Sequence, residues 1–582
     1  MAVATALLSL TGAVAAAGLT NDSMTTYVDS LTLGSSFNPV IAAYWTGYKH
    51  HRRTPFAVSP DGSVAYLAYL DSSASGVHVQ AVDPSTFAAT GTPTTVSGGK
   101  EAGGLVALDD GFALLTNEAM PSTTTNAPPS DTPVPVLYRF DASGTQKWKT
   151  WLGGPDIDDD GGHMCAPDMN GDLVYSNTTG RFAAYTVVTA YDGDYSGHYG
   201  DAIRYVEDST GEIVTIEGAS SSWGCSHNTG IALEAADAAP YASVCAEDQG
   251  AIWLNSKGQG MTTVGTKISN ENTTNGAGGE SLGGMSGSYS NLARWQNADG
   301  YIFAWVSRGA IDLYENAWMG TGYTAAYNRT NGRNVAIATF TDKYTMVEEQ
   351  ASSTVGAASG DSQVTWVTKT TTADMSNAHV ATFDSTTALV TWEEIADPHC
   401  DYIAFGCQGT FTGASYQLVS SDGSLVGDAL VSTDVTVSGD LVTMPDGRIC
   451  WPYVNQAWDL AGVVDSYGSS TSTTVTKMSF ACISADGSSS AGTTSAAASS
   501  TAAASTSSAA ATSSAPAVSS APASSAPVVA SSADAVVAAA SAAANSTAPV
   551  AQPATTLQTS LLPSSATRSC QKPVKTVYVT AQ

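Results

Sequence analysis

The chain has 582 residues, with 22 Lys plus Arg against 52 Asp plus Glu, a net charge of −30. That balance excludes nucleic acid and anionic membrane surfaces as partners, because both need a basic footprint. Gly is abundant at 54 residues, Ser and Thr are frequent and helix formers are scarce, so the composition predicts an all-β chain with many turns.

Residues 1–17, MAVATALLSLTGAVAAA, are apolar and end in an Ala-x-Ala type site before Gly18, which reads as a signal peptide despite the missing Lys or Arg near its start. No later apolar run reaches membrane-spanning length. The expected location is therefore secreted, extracellular or cell wall. Asn-x-Ser/Thr sequons at Asn21, Asn177, Asn272, Asn328 and Asn545 predict a glycoprotein. Eight Cys in a secreted chain predict disulfides.

From residue 56 onward the chain repeats one pattern, a short apolar segment followed by turn residues. The segments are FAVSPDG (56–62), VALDDG (106–111), CAPDMNG (165–171), IALEAAD (231–237), LARWQNADG (292–300), VATFDST (380–386) and VTMPDG (442–447). Six of the seven carry Ala at the second place: Ala57, Ala107, Ala166, Ala232, Ala293 and Ala381, with Thr443 in the last. A second set of turns follows: DPST (83–86), DASG (141–144), DSTG (208–211), NSKG (255–258), NRTNG (328–332), SSDG (420–423) and SADG (484–487). Asp or Asn opening a turn that closes on a small residue is hairpin chemistry. Each unit is thus four antiparallel strands. Seven such units predict a seven-bladed β-propeller over 18–487, with a β-sandwich pair as the alternative. The last unit lacks a fourth strand, which TTYVDSLTL (25–33) can supply to close the ring.

In an up-and-down blade the tight turns share one face. The long segments (35–53, 117–135, 153–162, 177–201, 218–228, 265–290, 307–322, 339–377, 393–413 and 455–471) share the other. Loops on a rigid scaffold carry function, so the long-connection face is the expected working face. Residues 488–582 turn to Ser, Ala, Thr and Pro, a composition that cannot bury a core and reads as a disordered, O-glycosylated tail.

The approaches to the innermost strands lie nearest the channel mouth. They bring His50, His51, Arg52, Arg53, Lys100, His163, His227, Asn228, Tyr289 and His379 toward one place. Such groups can hold a carboxylate or sulfate, or act as acid and base on a uronic acid. The catalytic candidates, if there is catalysis, are His51, Arg53 and His227. Ligand-binding candidates are His50, Arg52, Lys100, His163, Asn228, Tyr289 and His379, with Trp223 and Trp318 as rings suited to sugar faces. The competing reading is that these residues only satisfy hydrogen bonds between blades. DIDDDG (156–161) and DGDYSG (192–197) begin like calcium loops, which makes Asp156, Asp158, Asp160, Asp192 and Asp194 candidate calcium ligands, although the twelfth-place Glu of an EF-hand is absent.

Expected cysteine pairs are Cys225 with Cys245, Cys400 with Cys407, and Cys450 with Cys482, which leaves Cys165 unpaired and buried and Cys570, in the tail, either a crosslink to a partner or a lone thiol. The segment LYRFDASGTQKWKTW (137–151) resembles a repeat of quinoprotein-like propellers. The run from His198 to Asn228 resembles a secreted bacterial and fungal propeller family of unknown role, and the Ser/Thr/Ala-rich tail resembles fungal surface proteins. These resemblances imply a secreted propeller on a stalk; the quinoprotein-like repeat supports the fold, not a quinone cofactor. The functional expectation is a monomeric glycan-binding propeller. The alternatives are a lyase acting on acidic glycans and a protein-binding adhesin.

Overall fold

The computed structural model describes residues 18–41, 48–155, 157, 162–166, 169–197, 199–225, 230–247, 251–255, 265–270, 289–315, 324–328, 332–352, 354, 356, 364–400, 407–462 and 473–485. All of them belong to one of two units of the chain, 1–491 with 567–582. They form seven four-stranded antiparallel blades, of which the third and fifth carry an extra short strand. Blade 1 is Phe56–Val58, Ala65–Leu70, Val77–Val82 and Thr94–Val96. Blade 2 is Gly99–Leu108, Gly111–Glu118, Val134–Asp141 and Gln146–Trp151. Blade 3 is Gly171–Ser176, Arg181–Ala190, Tyr199–Glu207 and Ile213–Val214. Blade 4 is Ile231–Glu234, Ala242–Glu247, Ala251–Leu254 and Thr266–Ser269. Blade 5 is Leu292–Arg294, Tyr301–Ser307, Asn334–Asp342 and Thr345–Met346. Blade 6 is Ala373–Thr382, Thr387–Cys400, Cys407–Ser420 and Leu425–Ser432. Blade 7 is Val442–Thr443, Ile449–Tyr453, Val475–Ile483 and, from the N-terminal end, Met24–Phe37.

The blades close into a ring because alternate side chains on each strand face opposite neighbours. In blade 4, Ala242, Val244 and Ala246 pack on blade 5, while Leu233, Cys245 and Trp253 pack on blade 3. Each of the seven junctions between neighbouring blades holds its own apolar cluster, including the junction of blade 7 with blade 1. The fold is a seven-bladed β-propeller. The expected closure is present: Met24 stands opposite Ile483 and Tyr27 opposite Phe480. Leu31 and Phe37 of the same strand are buried.

The inner hairpin turns gather on one face. Asp61 N–H of blade 1 donates to Asp109 of blade 2 at 3.0 Å, and Gln296 N–H of blade 5 to Asp384 O of blade 6 at 3.2 Å. A side chain at Gly62, whose φ is +71°, would meet Pro445 of blade 7 at 2.7 Å, so this turn needs glycine. The Asp-opened turns are built as their sequence implies: Asp83 and Asp141 each accept two backbone N–H groups of the turn they open.

Three segments depart from the sequence reading. In blade 3 the innermost strand is Gly171–Ser176, not the segment around Ala166, and it turns tightly at 177–180 into Arg181–Ala190. The stretch 177–201 therefore contains the strand Arg181–Ala190 and the start of Tyr199–Glu207, and the turn of this hairpin is NTTG rather than DMNG. In blade 5 the third-to-fourth turn lies at 343–344, and NRTNG instead follows Thr324–Asn328, which pairs with Ala310–Glu315 as a separate two-stranded arm. In blade 6 the supposed loop 393–413 is largely ladder, which runs out to Cys400 opposite Cys407. Among the described residues no helix is long and apolar enough to cross a membrane.

Candidate functional site at the axis

The approach to the first inner strand builds the centre of the site. His50 and His51 form a two-residue strand against Val40–Ile41. Thr54 then bridges to Gly439 and donates its N–H to Ser438 O at 2.9 Å, which pins this approach beside that of blade 7. Between them, Arg53 reaches across the axis. Its guanidinium donates to Gly103 O (2.5 Å), Gly171 O (2.7 Å), Asp172 Oδ1 (3.2 Å) and Asp440 Oδ1 (2.6 Å), so it ties blades 1, 2, 3 and 7 together. The guanidinium also stands 4.7 Å from the centroid of the Tyr289 ring.

Tyr289 stacks on His379 at 4.5 Å, and His379 bonds Tyr289 O at 2.9 Å and Asn377 Oδ1 at 2.8 Å. Asn377 donates to Glu393 Oε1 at 3.1 Å, and the same oxygen bonds His51 Nε2 at 2.7 Å. The other face of this group is Trp458, which stacks on His51 at 3.7 Å. The sequence-predicted residues His51, Arg53, Tyr289 and His379 thus meet in one buried network. His50 adjoins it, with Nδ1 2.9 Å from His51 O. Arg52 is held by Asn38 O at 3.0 Å and by the Glu101 carboxylate.

Burial sets the electrostatics. It pulls His379 down to about 3 and lowers His50, so both stay neutral near pH 7. It pushes Asp172 up to about 7, with Arg53 opposing. Burial also raises the Tyr289 phenol. Both Arg side chains of the cluster and His51 face carboxylates: Arg52 has Glu101, Arg53 has Asp172 and Asp440, and His51 has Glu393. Several polar atoms remain buried with no hydrogen-bond partner, among them Tyr289 Oη, Arg53 Nε and Glu101 Oε1. Such atoms are uncommon in folded proteins, and each calls for an explanation.

Other expected site residues lie elsewhere. Lys100 is exposed on the inner strand of blade 2. His163 pairs with Asp192 at 2.7 Å and stacks on Tyr191, so it shares no partner with the axial group. Trp223 stacks on Tyr195 at 4.6 Å over a small apolar cluster of blade 3, which is loop packing. Asp194 is exposed. His227, Asn228, Trp318, Asp156, Asp158 and Asp160 lie outside the described residues, as do the sequons at Asn272 and Asn545. Asn21 and Asn177 are exposed, and Asn328 ends a strand.

Cys225 is bonded to Cys245 and Cys450 to Cys482, as expected. Cys407 is disulfide-bonded too and stands opposite Cys400. Cys165 departs from expectation: it is disulfide-bonded, and no described cysteine is free. Among the described residues, one group of His, Cys, Asp or Glu side chains is close enough to share a metal ion: Asp201, Cys225 and Cys245. Its two sulfurs are already joined to each other, which removes the thiolates a metal would need.

Sequence reasoning missed Glu393 and Asp172. Glu393 had a signal, two adjacent acids closing the apolar run ALVTW. Asp172 was hidden by the misplaced inner strand of blade 3.

No family model matches the chain, and no curated protein does. Solved structures similar to it include an α-L-arabinanase of Penicillium chrysogenum with arabinobiose bound, at 10% identity and TM-score 0.32 over 78% of this chain and 99% of that one. The β-propeller domain of the Trilobed protease of Pyrococcus furiosus gives 8% and 0.31 over 66% and 82%. An acylaminoacyl peptidase gives 7% and 0.32 over 66% of this chain, which spans 45% of that enzyme. At this level of likeness no activity carries over.

Proposed function

We propose that the protein is a secreted propeller that binds a neutral glycan at the axial mouth of its long-connection face. The observation that carries this reading is the axial group itself. It holds buried, unpartnered donors and acceptors beside the Tyr289 and Trp458 rings, while its basic residues are already matched by carboxylates. Hydroxyl-rich, uncharged ligands satisfy stray donors and acceptors and stack on rings. An acidic sugar would need a free cation, and the four carboxylates of the group outnumber Arg52 and Arg53. That charge count weighs against the uronate lyase reading. The disulfides support an oxidising, extracytoplasmic setting.

The test is binding of the full chain to a panel of soluble polysaccharides, arabinan, β-glucan and mannan against polygalacturonate. The reading expects retention on a neutral polymer and none on polygalacturonate. Retention on polygalacturonate alone, or release of unsaturated product from it, contradicts the reading.

A further inference from the structure

On the other side of Arg53, a cavity of about 390 Å³ runs along the axis. That volume lies within the range of small-molecule sites, about 300–1,000 Å³. Its length follows the inner strands. One end is Arg53, Asp172 and Asp440, and the other is formed by Pro60, Asn177 and Gln296 of the tight inner turns. It therefore addresses the short-turn face, opposite the proposed glycan site. Apolar side chains, Ala57, Leu105, Ala107, Leu173, Ala293 and Ala381 among them, alternate along it with polar ones such as Tyr175, Ser290, Thr382 and Thr443.

The charge inside is unbalanced. At the inner end two carboxylates share one guanidinium. Asp440 is satisfied, since Oδ1 takes Arg53 and Oδ2 takes Phe56 N–H at 3.1 Å. Asp172 is not. Only 8% exposed, it accepts from Arg53 and from Leu173 N–H at Oδ1, and Oδ2 accepts from nothing. Glu234 adds a third carboxylate to the lining. Among the described residues that line it, the one other cation, Arg294, is turned to Asp237 through both terminal nitrogens, at 3.0 and 2.7 Å. A cavity of mixed lining, with an unpaired oxygen of a largely buried carboxylate opening into its end, is complementary to an organic cation.

We infer that this cavity is a second binding site, for a small primary amine whose ammonium donates to Asp172 Oδ2 and whose short alkyl body lies against the Ala57, Leu105, Ala107 and Leu173 side chains. The inference does not rest on the glycan reading. Binding should strengthen as pH rises from 6 to 8. Asp172, which burial pushes up to about 7, loses its proton over that window while an alkylamine stays charged. The charged or titratable groups that line the cavity with it are Arg53, Tyr175, Glu234, Arg294 and Asp440.

The experiment is an NMR titration of the full chain with n-butylamine at pH 8, beside 1-pentanol as the uncharged probe of similar length. Butylammonium should bind saturably and at least about tenfold more tightly than pentanol, the scale of one charge-assisted hydrogen bond. Asp172→Asn should remove that margin. Because it also disturbs Arg53, Ala57→Leu serves as the second variant: it fills the cavity without touching the carboxylates. Ala57→Leu should abolish amine binding while retention on a neutral polysaccharide is unchanged. Equal affinity for amine and alcohol, or amine binding undiminished in folded Ala57→Leu, overturns the inference.

Discussion

The Arg53 guanidinium stands 4.7 Å from the centroid of the Tyr289 ring, and that ring stacks on His379 at 4.5 Å. One column thus joins the approach to blade 1 with the approach to blade 5 and the inner strand of blade 6. A desolvated cation over a ring is worth about 2 kcal/mol. The same guanidinium holds Asp172 and Asp440, so Arg53 is at once part of the candidate site and the clasp between blades.

Arg53→Met should therefore destabilise the protein by about 3–5 kcal/mol, the usual cost of leaving a buried carboxylate unpaired. Arg53→Lys should recover only part, because an ammonium cannot span two carbonyls and two carboxylates. Pairing Arg53→Met with Asp172→Asn should be milder than Arg53→Met alone. Urea unfolding followed by tryptophan fluorescence measures all three.

His379 gives a pH dependence with a definite sign. Its folded value is about 3, lowered by burial, against 6.5 for the free side chain. The unfolded chain takes up a proton that the folded chain refuses. The contribution of His379 is thus present above pH 6.5 and lost as pH falls toward 3, by up to about 1.4 kcal/mol per pH unit. Asp172 and Glu234, both raised to about 7 by burial, act in the opposite direction: their contribution is lost as pH rises toward 7. The variant comparison separates these effects. Relative to wild type, His379→Gln should gain stability steadily between pH 6.5 and 4.5, and a difference curve flat in pH would contradict the assignment.

Ring closure by the N-terminal strand is testable at Leu31, fully buried among residues of blades 7 and 1. Leu31→Ala should cost about 2–5 kcal/mol, as for any large-to-small change in a packed core. Thermal unfolding of the variant checks it; a cost near zero would mean that the strand is not part of the seventh blade.

Much of the ring was legible in the sequence because each blade repeats a short apolar segment and a turn with its own chemistry. Asp83 and Asp141 show this at the atomic level, since each closes the turn its sequence announced. Blade 3 was misread where two turn signals, DMNG and NTTG, compete within a dozen residues. Only pairing with Arg181–Ala190 decides between them, and pairing is a long-range property. At the axis, His51, Arg53 and Tyr289 were legible because they precede inner strands, and His379 because it stands just before the apolar segment VATF, although the strand itself begins earlier, at Ala373. Glu393 was not, because it enters from the second strand of its blade. The larger miss concerned charge. A run of two His and two Arg reads as a cationic patch in one dimension, yet its neutralising carboxylates come from blades 2, 3, 6 and 7.

The most direct test of the axial site is titration calorimetry of the full chain with whichever neutral polysaccharide retains it, comparing wild type with Tyr289→Phe. Tyr289 Oη has no hydrogen-bond partner among the described residues, so its loss should cost the fold no more than about 0.5 kcal/mol. If that hydroxyl serves the ligand, affinity should fall by about tenfold at unchanged melting temperature. Unchanged affinity in both Tyr289→Phe and His51→Gln would contradict the account.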